Sequence, residues 1–236
     1  MLLETVTGKL VDVENPLPEM IDIEDIAWAL SRISRFCGMT ITVIPYSVAQ
    51  HSIFVANEVS SILSNRHQLE EILKEISPSE FGPNCTSFAE GIDDLIFRSA
   101  EIEIKALLHD APESYMGDLP SPTKQIPALH SIIKQIESKL MSAILSAYNI
   151  SEPSIAENKL IKHADRIAQK IEAHAFMQSR GANWPNLPSV SLERLQQFEA
   201  PVESIASYKK FIEKFHNGHN FIFGTLPVFG REGINR

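Results

Sequence analysis

Two histidines and two aspartates could together bind one metal ion, although they are widely separated in the chain. His51 follows the string SVAQ, the adjacent pair His109 and Asp110 ends the apolar run ALL, and Asp165 lies within HADRIAQ. Adjacent side chains on a helix point about 100° apart, so the pair can share an ion only at a helix end or shoulder. Other helices must then supply the remaining ligands.

The donor types indicate which ion such a site would take. Two imidazoles and two carboxylates suit Co, Mn, Zn, Fe or Ni better than Mg or Ca, which prefer oxygen ligands. The two cysteines, Cys37 and Cys85, are too few for a thiolate site. Taken singly, each histidine or aspartate is more often a buried structural residue, a cap or a solvated charge. The metal hypothesis therefore depends on the four residues acting together.

Helical periodicity predicts the elements that would position these residues. Ser47 and Gln50 have capping-box spacing and begin a helix whose first turn carries His51. Pro112 cannot continue the helix that delivers the histidine and aspartate pair, so that helix ends or kinks there. The connector at residues 39–45 is rich in β-formers. The apolar patterns predict helices over about residues 22–36, 48–64, 92–112, 127–148, 154–178 and 202–214, with a short one at 68–76.

The fold class that follows is all-α: one helical bundle of about six or seven helices in a single domain. Residues 1–21 are predicted to form an N-terminal ribbon or loop. Residues 22–215 form the helical domain, with a polar, proline- and glycine-broken excursion at about 65–89. Residues 216–236 show no period and are predicted to be an irregular tail.

Composition narrows the possible partners. The net charge of −9 disfavours a nucleic-acid polymer, although a small anionic substrate can still be held by a metal and local cations. No stretch approaches the roughly 18 to 20 apolar residues that a membrane span needs, and the first residues lack the layout of a signal peptide. We therefore expect a cytoplasmic protein that does not bind membranes.

Three local strings carry a resemblance to a known family. SVAQHS, ALLHDAPESYMGDLPSP and HADRIAQKIEAH are similar to the motifs of HD-domain phosphohydrolases, and closest to their 5'-deoxynucleotidase-like branch. The chain also resembles the phage dATP triphosphohydrolases of the same superfamily. The resemblance covers roughly residues 22–178 and implies a helical bundle of the HD-domain type. Its middle string is the most specific, because the HD pair, a glutamate three residues on and a Gly-Asp-Leu-Pro turn occur in register.

The resemblance also implies roles for individual residues. The implied ligands of one divalent transition metal are His51, His109, Asp110 and Asp165. The implied catalytic carboxylate is Glu113. The implied substrate contacts are Arg35 and Phe36 for phosphate and sugar, and Asp118 for the sugar 3'-hydroxyl. Lys124, which follows the GDLPSPT turn, is a further candidate for phosphate binding.

Simpler interpretations of these residues stay open. Glu113 could merely pair with a cation, Arg35 could be a solvated charge at a helix end, and Asp118 could cap its turn. Lys124 could be an ordinary surface lysine. Glu172 returns to the face of Asp165 after about two helical turns and could orient a ligand, but a structural role is the simpler expectation.

The resulting hypothesis is a metal-dependent phosphohydrolase acting on deoxynucleotides. It removes phosphate from deoxynucleoside 5'-monophosphates, or triphosphate from substrates such as dATP. A triphosphate needs further cations, for which the candidates are Arg32, Arg35, Lys124 and Arg166. The alternatives are a phosphodiesterase for cyclic or signalling nucleotides and a non-catalytic helical binding module. The expected partner is a small-molecule nucleotide, and the resemblance implies a homo-oligomer.

Overall fold

A computed structural model describes residues 2–196 and 198–224 of the chain. Its N-terminus forms a small antiparallel hairpin. Strands β1 (Leu2–Glu4) and β2 (Leu10–Asp12) pair with Leu3 opposite Val11. The backbone amide and hydroxyl of Thr7 donate to the carboxylate of Asp25, at 2.9 and 2.7 Å. The hairpin is thus attached to the first helix.

Helices make up most of the remaining described chain, which confirms the predicted all-α class of the HD type. There are eleven among the described residues rather than six or seven, and three of them have only four residues. They are α1 (Ile23–Leu30), α2 (Val48–Leu63), α3 (Arg66–Leu73), α4 (Phe88–Phe97), α5 (Ser99–Leu107), α6 (Glu113–Met116), α7 (Ser121–Lys124), α8 (Pro127–Ala147), α9 (Ile155–Phe176), α10 (Leu192–Leu195) and α11 (Ser204–Phe223). Among the described residues, no helix combines the length and apolar character needed to cross a membrane.

Helix α2 lies at the centre of the bundle and packs against α5, α9 and α11. Small and branched side chains make this close packing possible. The fully buried residues of the four helices include Val55, Val59, Ile102, Ala106, Ala164, Ala168, Phe211 and Phe215. Because α2, α5 and α9 also precede or carry the candidate metal ligands, one core fixes the positions of all of them.

Two of the long helices begin at serine caps that the sequence predicts or allows. The Ser47 side chain accepts from the Gln50 amide at 3.2 Å, as the capping pattern requires. The reciprocal bond of a capping box is missing, because the Gln50 side-chain amide instead donates to Ala200 and accepts from Val202. Ser154 forms a complete capping box at the start of α9.

The first helix is shorter than predicted. It ends at Leu30, and residues Arg35–Gly38 form a separate one-turn 3-10 helix. In that turn Phe36 and Cys37 both have left-handed backbone angles, with φ of 57° and 53°. Side chains beyond glycine reach this region at a cost of about 1 to 3 kcal/mol each, so the surrounding contacts must hold the turn. Apolar periodicity alone could not reveal it.

Three further boundaries differ from the sequence-based prediction. The helix expected over residues 92–112 is divided at Arg98 into α4 and α5. The β-rich connector at 39–45 contains no strand, because no neighbouring strand is there to pair with it. The last helix continues to Phe223, so residues 216–223 of the expected irregular tail are helical; residues 225–236 of that tail lie outside the described residues.

The excursion at 65–89 is more ordered than its composition suggests. It contains α3, a 3-10 turn at Pro78–Glu80 and the start of α4. Leu69, Leu73 and Phe81 from this segment are buried in the main core. The segment therefore packs as part of the helical body.

Candidate metal centre

The predicted ligands come together where three helices converge. His51 lies in the first turn of α2, His109 and Asp110 follow the end of α5, and Asp165 lies in the middle of α9. Oδ2 of Asp110 lies 3.3 Å from Nε2 of His109 and 3.5 Å from Nε2 of His51. Oδ1 of Asp165 lies 3.1 Å from Nε2 of His51.

Both histidines turn the same ring nitrogen toward this point. Nδ1–H of His51 donates to Oε1 of Glu172, and Nδ1–H of His109 donates to the Ala106 carbonyl, each at 2.7 Å. A hydrogen on Nδ1 leaves the lone pair of a neutral imidazole on Nε2. The two Nε2 atoms are buried and have no hydrogen-bond partner among the described residues. A metal ion that takes the place of a proton at these nitrogens would give each of them a partner beside the carboxylate.

The donor set fits one divalent transition-metal ion. Ligand atoms from His51, His109 and Asp110 all lie within 4.8 Å of one another. Asp165 falls outside that closest group, but its Oδ1 lies 3.1 Å from Nε2 of His51. Two imidazole nitrogens with carboxylate oxygens are the ligands that Mn, Fe, Co, Ni and Zn accept.

The charges around the site favour a cation. Burial raises the pKa of Asp110, but His109, His51 and Arg35 lower it further, so the net pKa is well below the usual range. Burial and Arg35 lower the pKa of His51, whereas Glu172 and Asp165 raise it, with a net value of about 9. The carboxylates that contact His51 (Asp110, Asp165 and Glu172) all have lowered pKa values, so they are ionised and stabilise positive charge between them.

Glu172, for which the sequence allows an orienting role but favours a structural one, contacts the site directly. It lies about two turns after Asp165 on the same face of α9, is almost fully buried, and contacts His51. Its other oxygen lies 3.2 Å from Nε of Arg35. Burial raises the pKa of Glu172, but His51 and Arg35 lower it below its ordinary value. The spacing from Asp165 was the only sequence signal for this residue.

Arg35 is brought to the site by the separate 3-10 turn. Its guanidinium contacts Glu172, and its Nη1 lies 3.6 Å from Oδ2 of Asp110. Burial lowers the pKa of Arg35, but Glu172, Asp110 and Asp165 raise it above its ordinary value. Its side chain is only 11% exposed, so a solvated helix-end role is wrong.

Phe36, the neighbour of Arg35, packs against a side chain distant in sequence. Its ring meets the ring of Trp184 edge to face, with centroids 5.5 Å apart. The Arg35 guanidinium lies 5.1 Å from the Phe36 ring centroid. Nothing in the local sequence of Trp184 connects it to Phe36.

Glu113 and Lys124 form an ion pair beside the cluster. The Lys124 ammonium lies 3.0 Å from Oε1 of Glu113 and 2.9 Å from Oε1 of Glu137. Burial, with help from Asp110 and Asp118, raises the pKa of Glu113 to about 8 despite the opposing effect of Lys124. Oε2 of Glu113 is buried and has no hydrogen-bond partner among the described residues. One oxygen is therefore held while the other is available for proton exchange.

Asp118 lies in the turn between α6 and α7, half-buried. Burial raises its pKa above the ordinary value, Asp110 acts in the same direction, and Arg35 and Lys124 oppose it. The pKa of Asp118 is therefore influenced by charges of the predicted site. Its proposed contact with a sugar stays a prediction.

Comparison with known proteins identifies relatives with similar overall length. The chain is 29% identical over 168 residues to an uncharacterized protein of Rhodobacter capsulatus, covering 71% of this chain and 68% of that protein. It is 25% identical over 215 residues to the uncharacterized protein YfdR of Escherichia coli, covering 91% and 94%. A sequence model of the family described as 5'-deoxynucleotidase YfbR-like matches residues 96–218, which include the HD pair and Asp165. Because this match spans just over half of the chain, the protein belongs to the YfbR-like family of HD-domain phosphohydrolases.

Proposed function

We propose that this protein is a metal-dependent 5'-nucleotidase that removes phosphate from deoxynucleoside monophosphates. The observation that carries the proposal is the pair of buried Nε2 atoms, on His51 and His109, that face Oδ2 of Asp110 at 3.5 and 3.3 Å. The family description, 5'-deoxynucleotidase YfbR-like, supports the same chemistry. Deoxynucleotide specificity and the identity of the ion are parts of this proposal.

The proposed ligands are His51, His109, Asp110 and Asp165. A divalent ion bound there supplies positive charge to the phosphate oxygens and lowers the pKa of a nearby water. The protein's contribution is to hold the ligands in the required orientation. The Nδ1 hydrogen bonds to Glu172 and Ala106 do this for the two imidazoles.

Hydrolysis requires one proton to leave the attacking water and one to reach the departing 5' oxygen. The P–O5' bond breaks, and phosphate and the nucleoside are released. In our proposal Oε2 of Glu113 accepts the first proton and donates the second. Its partner-free oxygen and a pKa raised to about 8 suit both transfers near neutral pH.

The proposed substrate contacts surround the cluster. Arg35 contacts a phosphate oxygen through its terminal nitrogens, and Phe36 packs against the sugar. Asp118 accepts a hydrogen bond from the 3'-hydroxyl, which deoxynucleotides retain. Lys124 acts mainly through Glu113, because its ammonium is shared between Glu113 and Glu137.

The available cations favour a monophosphate over a triphosphate. Arg32 is exposed, and its guanidinium stacks on the Trp28 ring at 3.3 Å and donates to the Trp28 carbonyl. Arg166 is also exposed. Of the four candidate cations, only Arg35 contacts a predicted ligand. One such cation suits the smaller negative charge of a monophosphate better than the larger charge of a triphosphate.

Product chromatography tests the proposal. Metal-free protein is incubated with dAMP, AMP or dATP, with Mn²⁺, Co²⁺ or chelator. We expect inorganic phosphate and deoxyadenosine from dAMP, only when the ion is present, and slower release from AMP. Release of triphosphate from dATP as the main reaction would replace the monophosphate proposal, and no turnover of any nucleotide would overturn it. The homo-oligomer and the cytoplasmic location stay predictions from the sequence.

A further inference from the structure

Glu172 is a buried carboxylate that uses both of its oxygens to contact the proposed site. Only 1% of the residue is exposed. Oε1 accepts a hydrogen bond from Nδ1 of His51 at 2.7 Å, and Oε2 lies 3.2 Å from Nε of Arg35. Because an unpaired buried carboxylate is costly, its two basic partners explain why it is tolerated there.

The contact with His51 fixes the orientation of an imidazole that is itself fully buried. A carboxylate that accepts from Nδ1–H holds the ring, selects the tautomer whose lone pair is on Nε2, and increases the basicity of that nitrogen. In this chain Nε2 is the atom that faces Asp110 and Asp165. Without Glu172, the ring would lose the hydrogen bond that holds its Nδ1.

The contact with Arg35 orients a second side chain of the proposed site. Nε of Arg35 faces Glu172, so the planar guanidinium directs its terminal nitrogens elsewhere, and Nη1 lies 3.6 Å from Oδ2 of Asp110. The four groups close a ring: Glu172 contacts His51 and Arg35, and both of these contact Asp110. The members come from α2, α9, the turn before Met39 and the segment after α5.

We propose that Glu172 is a positioning residue that orients His51 for metal binding and Arg35 for phosphate binding at the same time. This inference rests on the proposed function, since it assigns His51 to the ion and Arg35 to the substrate. It adds a residue that links the two binding events through one carboxylate. Loss of the carboxylate should weaken both, whereas loss of an equally buried carboxylate elsewhere on α9 should weaken neither.

Glu157 offers that matched control. It is also on α9, is also 1% exposed, and pairs with Arg98 and Lys105 at 2.7 and 3.0 Å, away from the predicted ligands. Glu172→Gln and Glu157→Gln both remove a buried negative charge with little change of shape. Both variants are expected to lose stability, so a difference between them at the site cannot come from destabilisation alone.

The experiment measures Mn²⁺ binding to the metal-free full chain by calorimetry. A second titration measures inorganic phosphate binding at saturating Mn²⁺. We expect Glu172→Gln to weaken Mn²⁺ binding by about 10- to 100-fold and to weaken phosphate binding several-fold. Glu157→Gln should match the wild type in both titrations. If Glu172→Gln does not fold, Glu172→Asp keeps the charge, shortens the reach, and should give an intermediate loss.

Each outcome has one meaning. Mn²⁺ binding of Glu172→Gln within about twofold of the wild type would overturn the inference, and equal losses in both variants would do the same. Weakened Mn²⁺ binding with unchanged phosphate binding would overturn the Arg35 half. Tight Mn²⁺ binding without hydrolysis of any nucleotide would refute the proposed function while leaving the role of Glu172 intact. Failure of the wild type to bind Mn²⁺ would refute both.

Discussion

Nδ1 of His51 lies 2.7 Å from Oε1 of Glu172, although 121 residues separate them in the chain. The histidine is in the first turn of α2 and the glutamate is near the end of α9. Packing of these two helices in the core brings them together. The bond orients the ring so that Nε2 faces Asp110. The core of the fold therefore also sets the geometry of the proposed metal site.

Glu113→Gln should remove most turnover without removing the metal. The amide has the same shape but cannot accept and return a proton, and general acid–base catalysis contributes about 10²- to 10⁴-fold. We therefore expect the rate of phosphate release from dAMP to fall at least 100-fold, at unchanged Mn²⁺ content. A rate within tenfold of the wild type would show that another group moves the proton.

The stability of the metal-free protein should depend on pH through Glu113. Burial, with the negative charges of Asp110 and Asp118, raises its folded-state pKa from 4.5 to about 8. The folded chain then keeps the proton at pH values where the unfolded chain has lost it. The free energy of unfolding must therefore decrease as pH rises between about 4.5 and 8.

Glu113→Gln isolates this effect, because glutamine does not titrate. The free energy of unfolding of both metal-free proteins is measured in urea at pH 5 and pH 8. Between these pH values, that of the variant should increase relative to that of the wild type by at least about 1.4 kcal/mol, the equivalent of one pKa unit. A stability difference that is equal at both pH values would mean that the Glu113 pKa is close to its unfolded value.

Gly91→Ala should destabilise the fold. A Cβ at this buried helical position would overlap the ring of Phe81, which is itself buried in the core. Such overpacking costs about 1 to 3 kcal/mol. Thermal unfolding measures it, with Gly82→Ala as the control, because a Cβ at Gly82 meets nothing within 4 Å. Equal melting temperatures for the two variants would show that the segment before α4 is not packed as described.

Parts of this architecture could be predicted from the sequence, and the reasons are physical. Amphipathic periodicity and serine caps are local signals, so α2 and α9 were placed almost to the residue. The proposed ligands could be found because they occur within specific strings. The structure brings His51, His109 and Asp110 within 4.8 Å and places Asp165 beside His51.

The remaining features depend on tertiary contacts. The left-handed backbone of Phe36 and Cys37 follows from no residue preference, and the turn that carries it is what delivers Arg35. The spacing of Glu172 from Asp165 allows an orienting role, but only the packing of α2 against α9 shows that its partner is His51. The segment at 65–89 has a polar composition, but a few apolar residues such as Leu69 and Phe81 are enough to bury it against the core.

The central claim is that one divalent ion is bound at the point where His51, His109 and Asp110 meet. The most direct measurement is the stoichiometry of Mn²⁺ bound to the metal-free chain, for the wild type, His109→Ala and the control His163→Ala. His163 is a half-buried histidine on α9, outside the ligand cluster. The account predicts one ion per chain for the wild type and the control, and none for His109→Ala. Equal binding by His109→Ala, or no binding by the wild type, would contradict it.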